Sequence, residues 1–421
     1  MPGILVPIEL KDLMAADLFP VIFERVCGLD VHKDTIVATI KGVDVVEQTQ
    51  TFGTFTEDIH SFVGWFQNHG VTHVAIESTG VYWKPVYYII EEFFEVILFN
   101  ARHIKNVPGQ KTDKKDSQWI AKLLMSGLLK GSFVPPQQIR DLRDLHRHRR
   151  KLIGQRTSEK NRLQNVLEQA NIKLSSVVSD VFGKSGLAMI KAIIAGQDKP
   201  DLLAELAKGS LVKKKDLLRK ALSGRVTAHH RFMLQLILDS IQHINNQIAL
   251  LEAQMDTCLV DMKQDIDLLK TIPGVSKQIA TGILAEIGRD MEAFPNDKHL
   301  ASWAGVCPGN NESAGKKMSS RITHGNKYLK TTLVEAAWVA SRSKVNPMLA
   351  EKHRILLARR GRKKATIAIG HKILTAVYHV LRDQQPYVPH VNDQKILNHR
   401  RLRKIQRLEK QLSKLKDASL N

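Results

Sequence analysis

The sequence predicts an α/β N-terminal domain, a long helical coiled-coil arm and a mainly α-helical C-terminal domain. Short β-branched runs that end in acids fill the first 130 residues. A basic stretch free of proline, with helical periodicity, follows from Gln137, and Pro-Gly and Gly-rich turns separate helical segments after Leu268. The implied parts are an N-terminal extension at 1–24, the α/β domain at 25–135, a helical linker and dimerisation arm at 136–262, a C-terminal domain at 263–385 and a basic helical tail at 386–421.

VCGLDVHKDTIVATIKG reads as a strand closing on Asp30, a turn at HKD and a second apolar stretch. THVAIESTG is a short buried strand, Val74 to Ile76, that delivers Glu77 at its end, and FEVILFN is a third strand. TDKKDSQWIAKLLMSGLL begins polar and becomes an amphipathic helix with apolar positions at Ile120, Leu123, Leu124 and Leu128. From Gln137, 38 residues contain no proline and one glycine, with apolar positions at Ile139, Leu142, Leu145, Leu152, Leu163 and Leu167, which predicts one long helix. Its expected partner is the stretch from Phe232 to Leu259, so an antiparallel arm or coiled coil is predicted. LLKTIPGVSKQIATGILAEIG matches a helix-hairpin-helix, in which a tight turn at Gly274 could present N–H groups to a phosphate. The stretch from Phe294 onward reads as a Gly-, Ser- and Lys-rich loop between helices, and the tail repeats Leu402, Ile405, Leu408, Leu412 and Leu415 on a solvated helix.

Charge narrows the function class. Of 421 residues, 63 are Lys or Arg and 42 Asp or Glu, a net of +21, which points to a polyanionic partner, nucleic acid first. The excess is uneven. Residues 1–120 hold 10 basic and 16 acidic side chains, net −6, leaving +27 for the other 301 residues. An acidic domain suits phosphate chemistry when divalent metals supply the missing positive charge. Cys27, Cys258 and Cys307 are far apart, odd in number and without CxxC spacing, so neither a disulfide framework nor a structural zinc site is indicated. The first twenty residues carry acids before any basic cluster, and no run approaches the roughly 18 apolar residues that span a bilayer, so a cytoplasmic protein without membrane contact is expected.

The candidate chemistry is a quartet of acids. Asp30 and Glu77 close strands, and Asp113 with Asp116 stand three apart at a helix start, on one helical face. Four carboxylates converging in this way would offer hard oxygen ligands to two divalent metals. Each acid alone is better read as a surface charge, and Asp34, Glu91 and Glu92 are read as solvated.

GLDVHKD, AIESTGVYW, NARHIKNVPGQKTDKKDSQWIA, the IPGV stretch and above all SWAGVCPGNNESAGKK with HGNKYL resemble the DEDD transposases of the bacterial insertion-sequence family one-ten, eleven-eleven subgroup. The resemblance runs in order from about Val26 to about Leu381. It implies an RNase H-like (RuvC-like) N-terminal domain that binds Mg2+, with Mn2+ as a possible substitute, through Asp30, Glu77, Asp113 and Asp116. It also implies a C-terminal transposase domain whose nucleophilic serine falls on Ser313, with Ser319 and Ser320 as neighbouring rivals. A serine attack would form a phosphoserine ester that conserves bond energy and allows religation without ATP. The same loop fails as a P-loop, because Gly309 to Gly315 has one residue too many and Lys317 stands where Ser or Thr should be.

The resemblance further implies donor and target DNA, a structured noncoding bridge RNA that delegates sequence choice to base pairing, homodimers that pair into tetramers, and a bacterial, nucleoid-associated setting. Candidate nucleic-acid contacts are Lys111, Lys114 and Lys115 beside the acids, Arg149 and Arg150 on the arm, Gly274, and Lys316, Lys317, Arg321, Asn326 and Lys327 around the serine loop. Two other readings compete: a Holliday-junction-type nuclease in which the acids activate water, and a non-catalytic nucleic-acid scaffold.

Overall fold

A computed structural model describes residues 20–100, 113–309, 311–313, 316–319, 321–343 and 347–388, with 398, 401–403 and 405–412 of the tail. The chain forms two compact units, Met1–Val134 and Pro135–Asn421.

The first unit is built on a five-stranded mixed sheet in the order β3-β2-β1-β4-β5. Strands β1 (Arg25–Val31), β2 (Ile36–Gly42) and β3 (Gln48–Phe52) form an antiparallel meander, while β4 (His73–Glu77) and β5 (Glu95–Phe99) run parallel to β1. The parallel pairings need crossovers, supplied by helices α1 (Thr56–Asn68) and α2 (Trp83–Ile90). In α1, Ile59, Phe62, Val63 and Phe66 fall on one stripe and pack on the sheet with Cys27, Leu29, Val74 and Ile76. The alternate strand residues, Val26 and Ala75, face the other way and meet Ile120, Ala121 and Leu124 of α3 (Asp113–Met125). A mixed sheet of this kind followed by a largely helical body fits an RNase H-like DEDD domain and its helical continuation.

Gly28 explains how closely α3 lies on the sheet. A Cβ at this position would stand 2.4 Å from both Ser117 O and Ala121 N, so any side chain would push the helix away. Beside it, Thr39 Oγ1 and Ser117 Oγ share a buried 2.8 Å hydrogen bond. At the other end, Met125 O accepts N–H bonds from Ile22 and Phe23. Helix α3 therefore runs antiparallel to β1, with its N-terminus at the strand's carboxyl end.

Among its described residues the second unit is helical apart from one two-stranded ribbon. Helix α4 (Gln137–Gln169) pairs antiparallel with α9 (Ala228–Cys258): Gln138 Nε2 donates to Cys258 O at one end, Arg156 to Asn245 in the middle, and Leu163 shares a core with Leu234 and Ile237 at the other. The predicted single helix ends at Gln169, short of Leu174. Residues between the pair form a small helical tip that the sequence reading left unassigned: α5 (Leu174–Val177), α6 (Lys184–Ile194), α7 (Pro200–Ala204) and α8 (Lys215–Leu222). Leu174, Met189, Ile190, Leu203 and Leu218 give this tip its own core. The arm is thus an antiparallel helical pair, one of the two expected forms, and it carries a globular tip.

The turn read as a helix-hairpin-helix joins α10 (Lys263–Lys270) to α11 (Lys277–Ile287). Gly274 has φ +90°, and a Cβ there would stand 2.4 Å from Ala336 O and 2.8 Å from Ala340 Cβ, on α13 (Lys327–Ala340). Close helix packing accounts for the glycine at this position. Helices α12 (Asp297–Trp303), α14 (Pro347–Arg360) and α15 (Arg362–Asp383) complete the unit. No helix among the described residues is long and apolar enough to cross a membrane.

Candidate active site

Register and alternation place the two strand-end acids together. Leu29 pairs with Ile76 across the parallel β1–β4 ladder, so Asp30 and Glu77 are the next positions on adjacent strands, roughly 5 Å apart in backbone spacing. Both share the sheet face of Gly28 and Ala75, the face that α3 covers. On α3, the residues that meet the sheet are Ser117, Ile120, Ala121 and Leu124. Helical spacing extends that stripe back to positions 113 and 116. The start of α3 and the ends of β1 and β4 therefore converge at one edge. The side chains of Asp113, Lys114 and Lys115, and all of Lys111, lie outside the described residues.

The Asp30 side chain is 15% exposed, and its Oδ2 lies 3.2 Å from His32 Nε2. Glu77 Oε1 accepts a hydrogen bond from Thr79 Oγ1. The turn after β1 and the loop after β4 line an open depression at this edge, with His32, Lys33, Thr79 and Tyr82 on its walls. Sequence reasoning missed His32, Thr79 and Tyr82, although each stands within five residues of a predicted acid. Among the described residues no three His, Cys, Asp or Glu side chains already form a closed ligand cage. The donors fit magnesium in kind, as carboxylate oxygens at one edge, and would complete a shell only as an open site with other ligands.

In the second unit the region read as a loop is a β-ribbon. Strand β6 (Asn311–Ser313) pairs antiparallel with β7 (Lys316–Ser319), and the pairing continues outward through Gly309 N–H to Arg321 O and Thr323 N–H to Cys307 O. Ser313 is opposite Lys316 at the end of β6. Its side chain, with those of Lys317 and Ser320, lies outside the described residues. Lys316 and Arg321 are exposed, as is Met318. Ser319 is separated from Ser313 by its surroundings, since its Oγ accepts the Arg321 N–H at 3.1 Å.

The neck of the ribbon is held by glycines and one buried acid. A Cβ on Gly325 would stand 2.3 Å from Gly305 N, and Gly305 has φ +67°, so both positions require glycine. Asn326 caps α13 by accepting N–H bonds from Tyr328 and Leu329 and donates its amide to Glu286 Oε2 at 2.6 Å. Glu286 is fully buried on α11 and also receives both nitrogens of Arg147 from α4, at 2.9 and 2.7 Å. Arg147 in turn stacks on Tyr328, 4.3 Å from the ring centroid. One carboxylate thereby ties the arm, α11 and the ribbon neck together. Next to it, burial pushes the His146 pKa down to about 4 against a partial opposing pull from Glu286, so the imidazole is neutral near pH 7.

Several expected nucleic-acid contacts have other engagements. Arg149 pairs with Glu252 on α9, Arg150 with Glu335 on α13, and Asn326 with Glu286. Lys327 is exposed and lies over Tyr328. The Glu286 hub was not legible as a site, and its one signal was a lone acid inside the apolar run GILAEIG.

Replacing Glu286 by Ala would strand the Arg147 guanidinium and the Asn326 amide without an acceptor. We expect a loss of about 3 kcal/mol in urea unfolding followed by tryptophan fluorescence, the low end of values for broken buried pairs. A loss under about 1 kcal/mol, the range of an exposed pair, would contradict the hub.

The comparisons with known proteins follow the same two regions. Residues 27–172, which contain all four acids, match a family model described as transposase, of the DEDD type from IS110 elements. Residues 266–354, which contain the ribbon, match that of the transposase IS116/IS110/IS902 family. The chain is 25% identical over 381 residues to the pilin gene-inverting proteins of Moraxella lacunata and Moraxella bovis, covering 87% of this chain and 98% of each relative. It is 21% identical over 296 residues to the transposase for insertion sequence element IS1111A of Coxiella burnetii, covering 69% of this chain and 72% of that protein. The chain belongs to the IS110-family transposases and is a DNA transposase, an enzyme of site-specific recombination.

Proposed function

We propose that this transposase cuts and rejoins DNA with a serine nucleophile and a magnesium-binding acidic site, guided by a structured RNA. The observation that carries the reading is the convergence of Asp30, Glu77 and the start of α3 at one sheet edge. Asp30, Glu77, Asp113 and Asp116 would hold Mg2+, or Mn2+ in its place. When bound, the metal supplies positive charge and Lewis acidity to a phosphate that this acidic domain would otherwise repel. Ser313 would attack the scissile phosphorus: its Oγ–P bond forms as the hydroxyl proton leaves, the P–O bond to the deoxyribose oxygen breaks, and that departing oxygen takes up a proton. The phosphoserine ester keeps the bond energy, so the reverse attack by a deoxyribose hydroxyl religates without ATP. Exposed Lys316 and Arg321 on the same ribbon support this placement, since each can neutralise a backbone phosphate.

The guide is a noncoding bridge RNA that pairs with donor and target DNA, leaving the protein to hold backbones by shape and charge. The basic excess of +27 after residue 120 supports that division. The helical arm serves dimerisation, and dimers pair into a tetramer. The test is strand exchange by the purified protein with the RNA that comes with it. One discrete RNA species and Mg2+, without ATP, are expected to suffice. Exchange that persists in EDTA, or after the RNA is digested, would overturn the reading.

A further inference from the structure

A second charged surface stands at the corner between α14 and α15. Arg359 and Arg360 end α14, Arg362 and Lys363 begin α15, and all four are exposed. Gly361 between them has φ +78°, and a Cβ there would meet nothing within 4 Å. The glycine therefore serves the sharpness of the turn, which folds the two basic helix ends back beside each other. Trp338 on α13 joins the corner: Arg362 lies 4.3 Å and Arg342 5.0 Å from its ring centroid. Among the described residues no carboxylate forms an ion pair with Arg342, Arg359, Arg360, Arg362 or Lys363, in contrast to Arg149 and Arg150 on the arm.

Five cations with no ion-paired carboxylate among the described residues repel one another, and a polyanion relieves that repulsion. Stacking on Trp338 holds two guanidiniums in place before binding, so fewer side-chain rotamers are lost when they meet phosphates. With its ring engaged by these two arginines, Trp338 serves as their support in preference to a platform for an unpaired base, which favours a duplex backbone over single strands. The corner stands 12 positions along α13 from Asn326, so it is about 18 Å from the ribbon neck, or roughly five base pairs of duplex.

We propose that this corner grips the phosphate backbone of duplex DNA flanking the cut, as a sequence-independent contact separate from the ribbon. It rests on the enzyme's established DNA substrate and not on the serine, the metal or the RNA.

The experiment measures fluorescence anisotropy of the full chain on a labelled 40-base-pair duplex of arbitrary sequence across a salt series. The variant Arg359→Gln/Arg360→Gln/Arg362→Gln/Lys363→Gln is expected to bind at least about 10-fold more weakly near physiological salt, with the slope of log K against log[salt] shallower by about 3.6. A control with the same loss of charge on the arm tip, Lys208→Gln/Lys213→Gln/Lys214→Gln/Lys220→Gln, is expected to keep the wild-type slope. If the fourfold variant fails to fold, Arg359→Gln/Arg360→Gln, which leaves the Trp338 stack intact, should still lower the slope by about 2. An unchanged slope in the corner variants, an equal loss in the control, or a loss confined to structured RNA would each overturn the proposal.

Discussion

Ser313→Ala is expected to retain the fold and DNA binding while losing strand exchange by on the order of 10^3-fold or more, together with every covalent protein–DNA adduct. The backbone reason for an intact fold is that β6 pairs with β7 through main-chain groups, and its register does not depend on the serine hydroxyl. The chemical reason for the loss is that the Ser319 hydroxyl, the rival among the described residues, stands elsewhere on the ribbon. Ser319 is paired with Asn311 at the far end of the ribbon, and its Oγ is engaged with the Arg321 N–H. Ser319→Ala should therefore leave adduct formation within a few fold of wild type, read on denaturing gels. An adduct that survives in Ser313→Ala and vanishes in Ser319→Ala would reverse the assignment.

Asp30→Ala and Glu77→Ala are each expected to reduce magnesium-dependent cleavage by about 10^3-fold, since a bound metal contributes several kcal/mol of charge stabilisation. Both acids are at strand ends, outside the cores on either side of the sheet, so thermal unfolding should change little. A readout independent of activity comes from substituting Fe2+ and generating hydroxyl radicals, which cut the backbone beside a bound metal. Wild type should be cut near residues 30 and 77, with protection by Mg2+, and the double variant should not. Asp34→Ala, on the exposed turn after β1, should behave as wild type in both assays. Full activity in Asp30→Ala and Glu77→Ala would remove the metal-site proposal.

The acidic edge was legible because its signals are local. A β-branched run that stops at an acid and a turn announces a strand end, and Asp30 and Glu77 are both of that kind. Asp113 opens a helix as its polar start suggests. What the sequence could not give is set by distant partners. Strand β3, QTQTF, is a polar edge strand beside β2 that sends one large apolar side chain, Phe52, to the core, too little alternation to betray it. The ribbon around Ser313 was read as a loop because its closing contact, Gly305 against Gly325, joins two glycines twenty residues apart. The Glu286 hub depends on Arg147 and Asn326, which are 139 and 40 residues away. Gly274 carried a turn signal that was correct, while its need for glycine comes from α13, which fills the space beside it.

The most direct test of a serine-and-metal recombinase is to stop the Mg2+ reaction by denaturation, digest protein and DNA, and locate the linked nucleotide by mass spectrometry. A nucleotide esterified to Ser313 is expected, absent when Mg2+ is omitted and absent in Asp30→Ala. Cleaved DNA with no peptide attached, or a nucleotide on any other residue, would contradict it.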